Sequence, residues 1–175
     1  GRCGNRAGNS PEGNYQKILN AGEVLQIANA NGDFSGSNVI ANKNVGVFGA
    51  HRCTRIPTAK GFCDHLEEQL LPIDKWGKHY VVSKTKQRNL ETEYYKLVID
   101  QDGTIINFNP AIDKISTITL NARQVYNFDT PLSFEISTNK PVLLGQFMVS
   151  NADNAGIGDP SFISIIPTEQ FKDNY

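Results

Sequence analysis

The chain has 175 residues and a formal net charge of −1 at pH 7, with 20% of its residues charged. This length is enough for one domain with a substantial core. The near-neutral charge gives no support for a nucleic-acid or anionic-membrane surface, and no apolar run reaches the roughly 18 residues of a membrane-spanning helix. We therefore expect no nucleic-acid partner and no insertion into a membrane.

Residues 1–14 are mainly Gly, Asn, Ser and Arg, a composition typical of an arm or linker. Residues 15–175 are predicted to form a single β domain, because short apolar runs alternate with turns rich in Asn. If two of the three cysteines pair, Cys3 in the arm is a candidate for a bond to another subunit or domain. The chain starts with Gly1 instead of Met, which we interpret as a processed or excised piece of a longer protein.

A short segment in the first half of the chain combines a strand with a loop between two cysteines. The run Val45–Ala50 has no polar residue on either face, which predicts a buried strand. Cys53 and Cys63 follow, joined by a loop that contains proline and glycine, and their spacing predicts a disulfide across a surface loop. Asp64–Leu71 is the one segment expected to form a helix, of two turns at most.

Two histidines accompany these cysteines, so His51, Cys53, Cys63 and His65 form a symmetrical set. Zinc binds Cys and His tetrahedrally, and a thiolate beside an imidazole can act as a nucleophile. In an oxidising compartment the two thiols would react with each other first. We predict the disulfide and no catalytic residue, with a zinc site, free thiols and a Cys–His nucleophile as the alternatives.

The second half of the chain has the clearest strand patterns. Tyr94–Asp100 and Thr104–Phe108 flank Asp102-Gly103, which predicts a β-hairpin. Apolar and polar residues alternate over Leu132–Thr138, as in a half-buried strand. Val142–Val149 is apolar on both faces and is predicted to be a central strand.

Two acidic clusters could offer oxygen ligands to calcium. Asp100 and Asp102 begin a calcium-loop pattern, but the downstream acidic ligand is missing, and a turn explains them equally well. Asp153 and Asp159 are lesser candidates for Ca²⁺, and Asp159 is followed by Pro160 in a typical turn. We expect no cofactor, with Ca²⁺ at Asp153 and Asp159 as the alternative.

The chain also repeats itself. Leu19–Val24 matches Leu120–Val125, and Asn42–Val47 matches Asn139–Leu144, with a spacing that differs by four residues. A loop between strands would absorb that difference. We therefore predict an all-β fold, a β-sandwich of two related halves with one short helical turn.

Several motifs are similar to the N-terminal domain family of IgG Fc-binding protein. The motifs are Val47–Cys53, Ile56-Pro57, Cys63–Leu66, Glu68–Leu70, Pro72, Trp76-Gly77, Gly158–Ser161, Pro167 and Gln170. The resemblance implies an extracellular β domain of the kind found in mucus-associated animal proteins and large bacterial surface proteins. No residue in the sequence carries over the immunoglobulin binding of the founding protein.

The function we predict is that of a non-catalytic extracellular adhesion or recognition module in a larger surface or secreted protein, with a protein or glycan ligand. The second hypothesis is a structural subunit of an extracellular fibre or matrix, linked to neighbouring subunits through the arm and Cys3. A metal-dependent or Cys/His hydrolase is a third and disfavoured hypothesis. The sequence identifies no ligand-contacting residue.

Overall fold

The computed structural model describes residues 6–7, 14–29, 32–86, 88, 91–150 and 158–174. The chain divides into two compact units, Gly1–Ser35 and Gly36–Tyr175. In the first unit, strand β1 (Arg6–Ala7) pairs in parallel with β2 (Gln26–Ile27). The predicted division into an arm of residues 1–14 and a domain of residues 15–175 stays a prediction.

The regular secondary structure of the second unit is almost entirely β-strand. The strands are β3 (Phe48–Thr54), β4 (Asp64–Gln69), β5 (Gly77–Val82), β6 (Glu93–Ile99), β7 (Thr104–Ile112), β8 (Ile115–Leu120), β9 (Val125–Thr130), β10 (Phe134–Met148) and β11 (Ser161–Ser164). Two 3₁₀ turns, Ile73–Lys75 and Thr168–Gln170, are the helical pieces among its described residues. The prediction of an all-β fold is confirmed. No helix in the described ranges is long and apolar enough to cross a membrane.

Strand β10, with 15 residues, organises the larger sheet. Its first part pairs with β5 and β7, so that Ile136 lies opposite both Tyr80 and Phe108. Its second part pairs with β6 and β11, so that Gly145 lies opposite both Lys96 and Ser164. The sheet therefore has two halves that share β10, one containing β8, β7 and β5 and the other containing β9, β6 and β11.

The main core lies where the two sheet halves meet. Its buried side chains are Tyr80, Val82, Tyr95, Leu97, Ile99, Ile106, Phe108, Ile112, Phe128, Phe134, Ile136, Val142 and Leu144. The ring of Tyr95 on β6 lies 4.9 Å from that of Phe134, and Phe108 on β7 lies 5.5 Å from Phe128 on β9. Aromatic side chains of one half thus contact those of the other, as in a sandwich.

The predicted hairpin of β6 and β7 is wrong in its pairing. Both strands form, and Gly103 has the positive φ of 64° that the turn requires. However, β6 pairs with β9 and β10, and β7 pairs with β8 and β10. The Asp-Gly turn reverses the chain without fixing which strands pair. β7 pairs with the first part of β10, and β6 pairs with its second part.

Two predictions for the cysteine segment are also wrong. Asp64–Leu71 forms no helix, because Asp64–Gln69 is β4 and pairs with β3, with Leu66 buried opposite His51. Pairing between distant residues overrides the helix propensity of Glu and Leu here. Val45–Ala50 is not a buried strand either. β3 begins at Phe48, and the exposed fractions of Val45 and Phe48 are 55% and 58%.

The two hairpins β3–β4 and β10–β11 share one geometry. The N–H of Leu70 donates to the carbonyl of Val47, and the N–H of Ile165 donates to that of Leu144, both over 2.9 Å. Each hairpin continues into a proline and then a 3₁₀ turn. The strands at the ends of the matching blocks Leu19–Val24 and Leu120–Val125 differ in their pairing. β2 pairs in parallel with β1, whereas β9 pairs antiparallel with β6. The duplication of the whole repeat therefore stays a prediction.

Candidate recognition surface

The hairpin β3–β4 ends in a loop closed by the disulfide that the sequence predicts. Cys53 and Cys63 are bonded across a separation of 10 residues, with their Cα atoms 5.0 Å apart. We call residues 53–63 the stapled loop. The bond fixes the distance between the two ends of the loop, and therefore restricts the conformations that the residues between them can adopt.

A second attachment holds the stapled loop near its middle. The N–H of Ile56 donates to Oγ of Ser150 over 2.8 Å, and the N–H of Ser150 donates to the carbonyl of Ile56 over 2.8 Å. Ser150 has no exposed surface, and Ile56 packs in a small apolar cluster with Leu66 and Val149. The loop is therefore tied to the end of β10 as well as to its own hairpin.

The stapled loop presents an aromatic ring to solvent. Phe62 is 67% exposed, and its φ of 57° lies in the left-handed region that bulky residues rarely adopt. Arg52 and Arg55 are exposed in the same hairpin. Aromatic residues and Arg are enriched in protein–protein interfaces, so the exposed residues of this hairpin have the composition of a contact surface.

The two histidines of the cysteine segment make local contacts. Nδ1 of His51 accepts the N–H of Cys53 over 3.2 Å, and Nε2 of His65 lies 3.3 Å from Oε2 of Glu67. With the sulfurs bonded to each other, neither is a thiolate, the form required for nucleophilic attack and for zinc binding. Within the described ranges, no group of three or more His, Cys, Asp or Glu side chains is placed to hold a metal ion.

The other predicted site residues do not come together at one place. Asp159 is exposed, while Asp153 and Cys3 lie outside the described residues. Oδ1 of Asp102 accepts the N–H of Ala122 over 2.9 Å, which is the contact of a turn residue. Calcium binding by Asp153 and Asp159 stays the alternative to the predicted absence of a cofactor, and external pairing of Cys3 stays a prediction.

Sequence reasoning missed a buried polar cluster around Glu93. Its carboxylate is 6% exposed and accepts four bonds, from the N–H of Thr85 (2.7 Å), the Thr85 hydroxyl, the Tyr95 hydroxyl (3.0 Å) and the Gln146 amide. Burial and the nearby charge of Glu93 raise the pKa of Tyr95. The signal was present in the sequence as a Gln inside the apolar run of β10.

This cluster has a structural role, since the four donors leave the carboxylate well satisfied. Arg88 lies close by in the chain and is held by Glu91, whose Oε1 accepts the N–H of Arg88 over 2.7 Å. A guanidinium N–H of Arg88 also donates to the carbonyl of Val149 over 3.2 Å. These bonds fix the end of β10 next to Ser150, and so support the attachment of the stapled loop.

Comparisons with known proteins identify relatives of the chain. The model of the family described as IgGFc binding protein matches residues 2–175. A Homo sapiens protein named IgGFc-binding protein is 39% identical over 75 residues, which cover 38% of this chain and 1% of the human protein. No solved structure shows significant similarity. Because the family match spans nearly all of its length, the chain belongs to the IgGFc binding protein family.

Proposed function

We propose that the chain is a non-catalytic extracellular recognition module that binds a protein ligand through the stapled loop. The observation that carries this proposal is the combination of the exposed Phe62 with the two attachments of the loop, the disulfide and the Ile56–Ser150 bonds. Membership of the IgGFc binding protein family supports a protein ligand. The disulfide supports an oxidising, extracellular location, either secreted or at a cell surface.

A restrained loop is suited to binding because less conformational entropy is lost when the complex forms. Phe62 supplies apolar area at low entropic cost, and Arg52 and Arg55 supply charge and planar hydrogen-bond donors at its margin. The name of the Homo sapiens relative makes the Fc part of immunoglobulin G the first ligand to test. Adhesion between secreted or surface-bound proteins is the biological role we propose for such binding.

The test measures binding of the full chain to immobilised Fc fragments and to a panel of secreted glycoproteins, by biolayer interferometry. If Phe62 is an anchor, Phe62→Ala should weaken binding about tenfold or more, the range of an interface hot spot. Phe171→Ala is the matched control, because Phe171 is 56% exposed but lies after the second 3₁₀ turn, outside the loop.

Three outcomes would contradict the proposal. The first is unchanged affinity of Phe62→Ala for a ligand that the unmodified chain binds saturably. The second is binding that disappears when the ligand is deglycosylated, since the partner would then be a glycan. An affinity lost equally in Phe62→Ala and Phe171→Ala would also exclude a specific role of the loop.

A further inference from the structure

Strand β3 has one edge that no other described strand pairs with, which we call its open edge. Among the described residues its one strand partner is β4. The bond from the N–H of Leu70 to the carbonyl of Val47 shows which backbone groups face β4. Because these groups alternate along an antiparallel strand, the N–H and carbonyl groups of Phe48 and Ala50 face the opposite edge. That edge offers a row of backbone groups to another strand.

The sequence around this edge is that of an internal strand. Val45–Ala50 is apolar on both faces, the pattern of a strand with neighbours on each side and cover on each face. In the structure, however, Val45 is 55% exposed and Phe48 is 58% exposed. Natural proteins protect apolar edge strands, since they are prone to aggregate. The exposure of this strand therefore indicates that a partner is missing.

The hairpin β10–β11 shows what covers such an edge. Its register places Gly145 opposite Ser164, as the register of β3–β4 places Phe48 opposite Gln69. In this alignment Gly145 corresponds to Phe48, and Phe147 corresponds to Ala50. On the edge away from β11, Gly145 and Phe147 lie opposite Lys96 and Tyr94 of β6. The equivalent edge in the second hairpin is thus filled by an antiparallel strand.

We propose that the open edge of β3 is a strand-accepting site, filled by an extended β6-like segment of a different protein. The incoming strand would run antiparallel to β3 and alternate as β6 does, where Glu93, Tyr95, Leu97 and Ile99 are buried and the residues between them are partly exposed. Main-chain hydrogen bonds would supply affinity, and the alternation would supply specificity.

The segment belongs to a different protein because a second copy of this chain, like any module with the same fold, has no unpaired β6. Both edges of its β6 are already paired, one with β9 and the other with β10. If β6 left its own sheet to pair with β3 of another copy, it would expose Tyr95 and Leu97, which are 1% and 0% exposed in the core. The site is independent of the ligand proposed for the stapled loop, so Phe62→Ala should not affect it.

The probe is a synthetic peptide with the sequence of residues 91–100, titrated against the full chain by fluorescence anisotropy. Two N-methylated versions provide a matched pair. In β6 the N–H groups of Tyr94 and Lys96 face β10, whereas that of Tyr95 faces β9. Methylation at Lys96 should therefore weaken binding about tenfold or more, while methylation at Tyr95 should be tolerated, because only the first removes a bond to β3.

Hydrogen exchange provides a second readout, in which bound peptide should protect the amides of Phe48 and Ala50. Ala50→Pro should abolish binding of the peptide without unfolding the hairpin, since the Ala50 N–H does not face β4. The proposal is overturned if the unmodified peptide does not bind saturably, or if the two methylated peptides bind equally. It is also overturned if the chain alone forms a dimer that Ala50→Pro abolishes, because the occupant would then be a second copy.

Discussion

Ile56 and Ser150 are joined by two hydrogen bonds, each 2.8 Å long, although 94 residues separate them in the chain. One bond uses the Ser150 hydroxyl and the other uses its backbone N–H. The side chain of Ser150 thus contributes half of this attachment. A substitution can remove that half and leave the backbone bond in place.

Ser150→Ala should lower the free energy of unfolding by about 1–3 kcal/mol, because the buried N–H of Ile56 loses its acceptor. Urea denaturation measures the loss, and hydrogen exchange should show faster exchange within the stapled loop. Ser137→Ala is the control, since Ser137 is an exposed serine of β10, and it should change stability by less than about 0.5 kcal/mol. Equal effects of the two substitutions would contradict a specific attachment.

Replacing both Cys53 and Cys63 with Ser should cost about 2–3 kcal/mol, the chain-entropy value for a closed loop of this length. The fold should persist, since the main core contains no residue of the stapled loop. Thermal unfolding with and without reductant measures the effect. The reductant should destabilise the unmodified chain by a similar amount and leave the double variant unchanged. A double variant without a cooperative transition would mean that the disulfide is needed for folding.

The chain should lose stability above about pH 10 because two buried tyrosines keep their protons in the folded state. Burial raises the pKa of Tyr80 to about 12, and burial together with the charge of Glu93 raises that of Tyr95. An unfolded tyrosine ionises near pH 10, so the unfolded chain binds fewer protons than the folded chain above that pH. The free energy of unfolding then falls as pH rises, by up to about 1.4 kcal/mol per pH unit for each tyrosine.

Urea denaturation from about pH 8 to pH 11 measures how the free energy of unfolding changes with pH. The Tyr80 hydroxyl donates to the carbonyl of Val142 over 2.5 Å. Tyr80→Phe should therefore be less stable than the unmodified chain at neutral pH, and its stability should fall less steeply above pH 10. If Tyr80→Phe loses stability above pH 10 as steeply as the unmodified chain does, Tyr80 is not a cause of the pH dependence.

Gly77→Ala should destabilise the fold by about 1–3 kcal/mol through overpacking. A Cβ atom at Gly77 would overlap the ring of Pro167 and lie 2.8 Å from Oε2 of Glu169. Gly49→Ala is the matched control, since its Cβ would meet Leu70 at an ordinary 3.4 Å and should change stability by less than about 1 kcal/mol. Comparing the urea midpoints of the two variants decides between a steric effect and a general effect of losing glycine.

The alternation of buried and exposed residues along a half-buried strand was predictable from the sequence. Phe134 and Ile136 are buried and Glu135 and Ser137 are exposed, as the alternation over this segment requires. Local patterns did not determine the partners of these strands. The Asp102-Gly103 turn has the chemistry of a hairpin, but pairing with β10 decides the topology, and that pairing depends on contacts between distant residues.

The candidate site was predictable in part. Spacing and the surrounding turn residues predicted the bond between Cys53 and Cys63. The attachment of Ile56 to Ser150 was not predictable, because neither residue has a pattern that selects the other. The Glu93 cluster escaped prediction for a similar reason. Its donors Tyr95 and Thr85 lie only two and eight residues from Glu93, but Gln146 lies 53 residues away and reaches the cluster through the pairing of β10 with β6.

The central position of β10 has a consequence for the order of folding. β5, β6 and β7 all pair with this strand, yet all three precede it in the chain. During synthesis the pairs β7–β8 and β6–β9 can form early, but their apolar faces stay uncovered until residue 148 has left the ribosome. Pairing between such distant segments is slow, so the nascent chain should depend on chaperones during this interval.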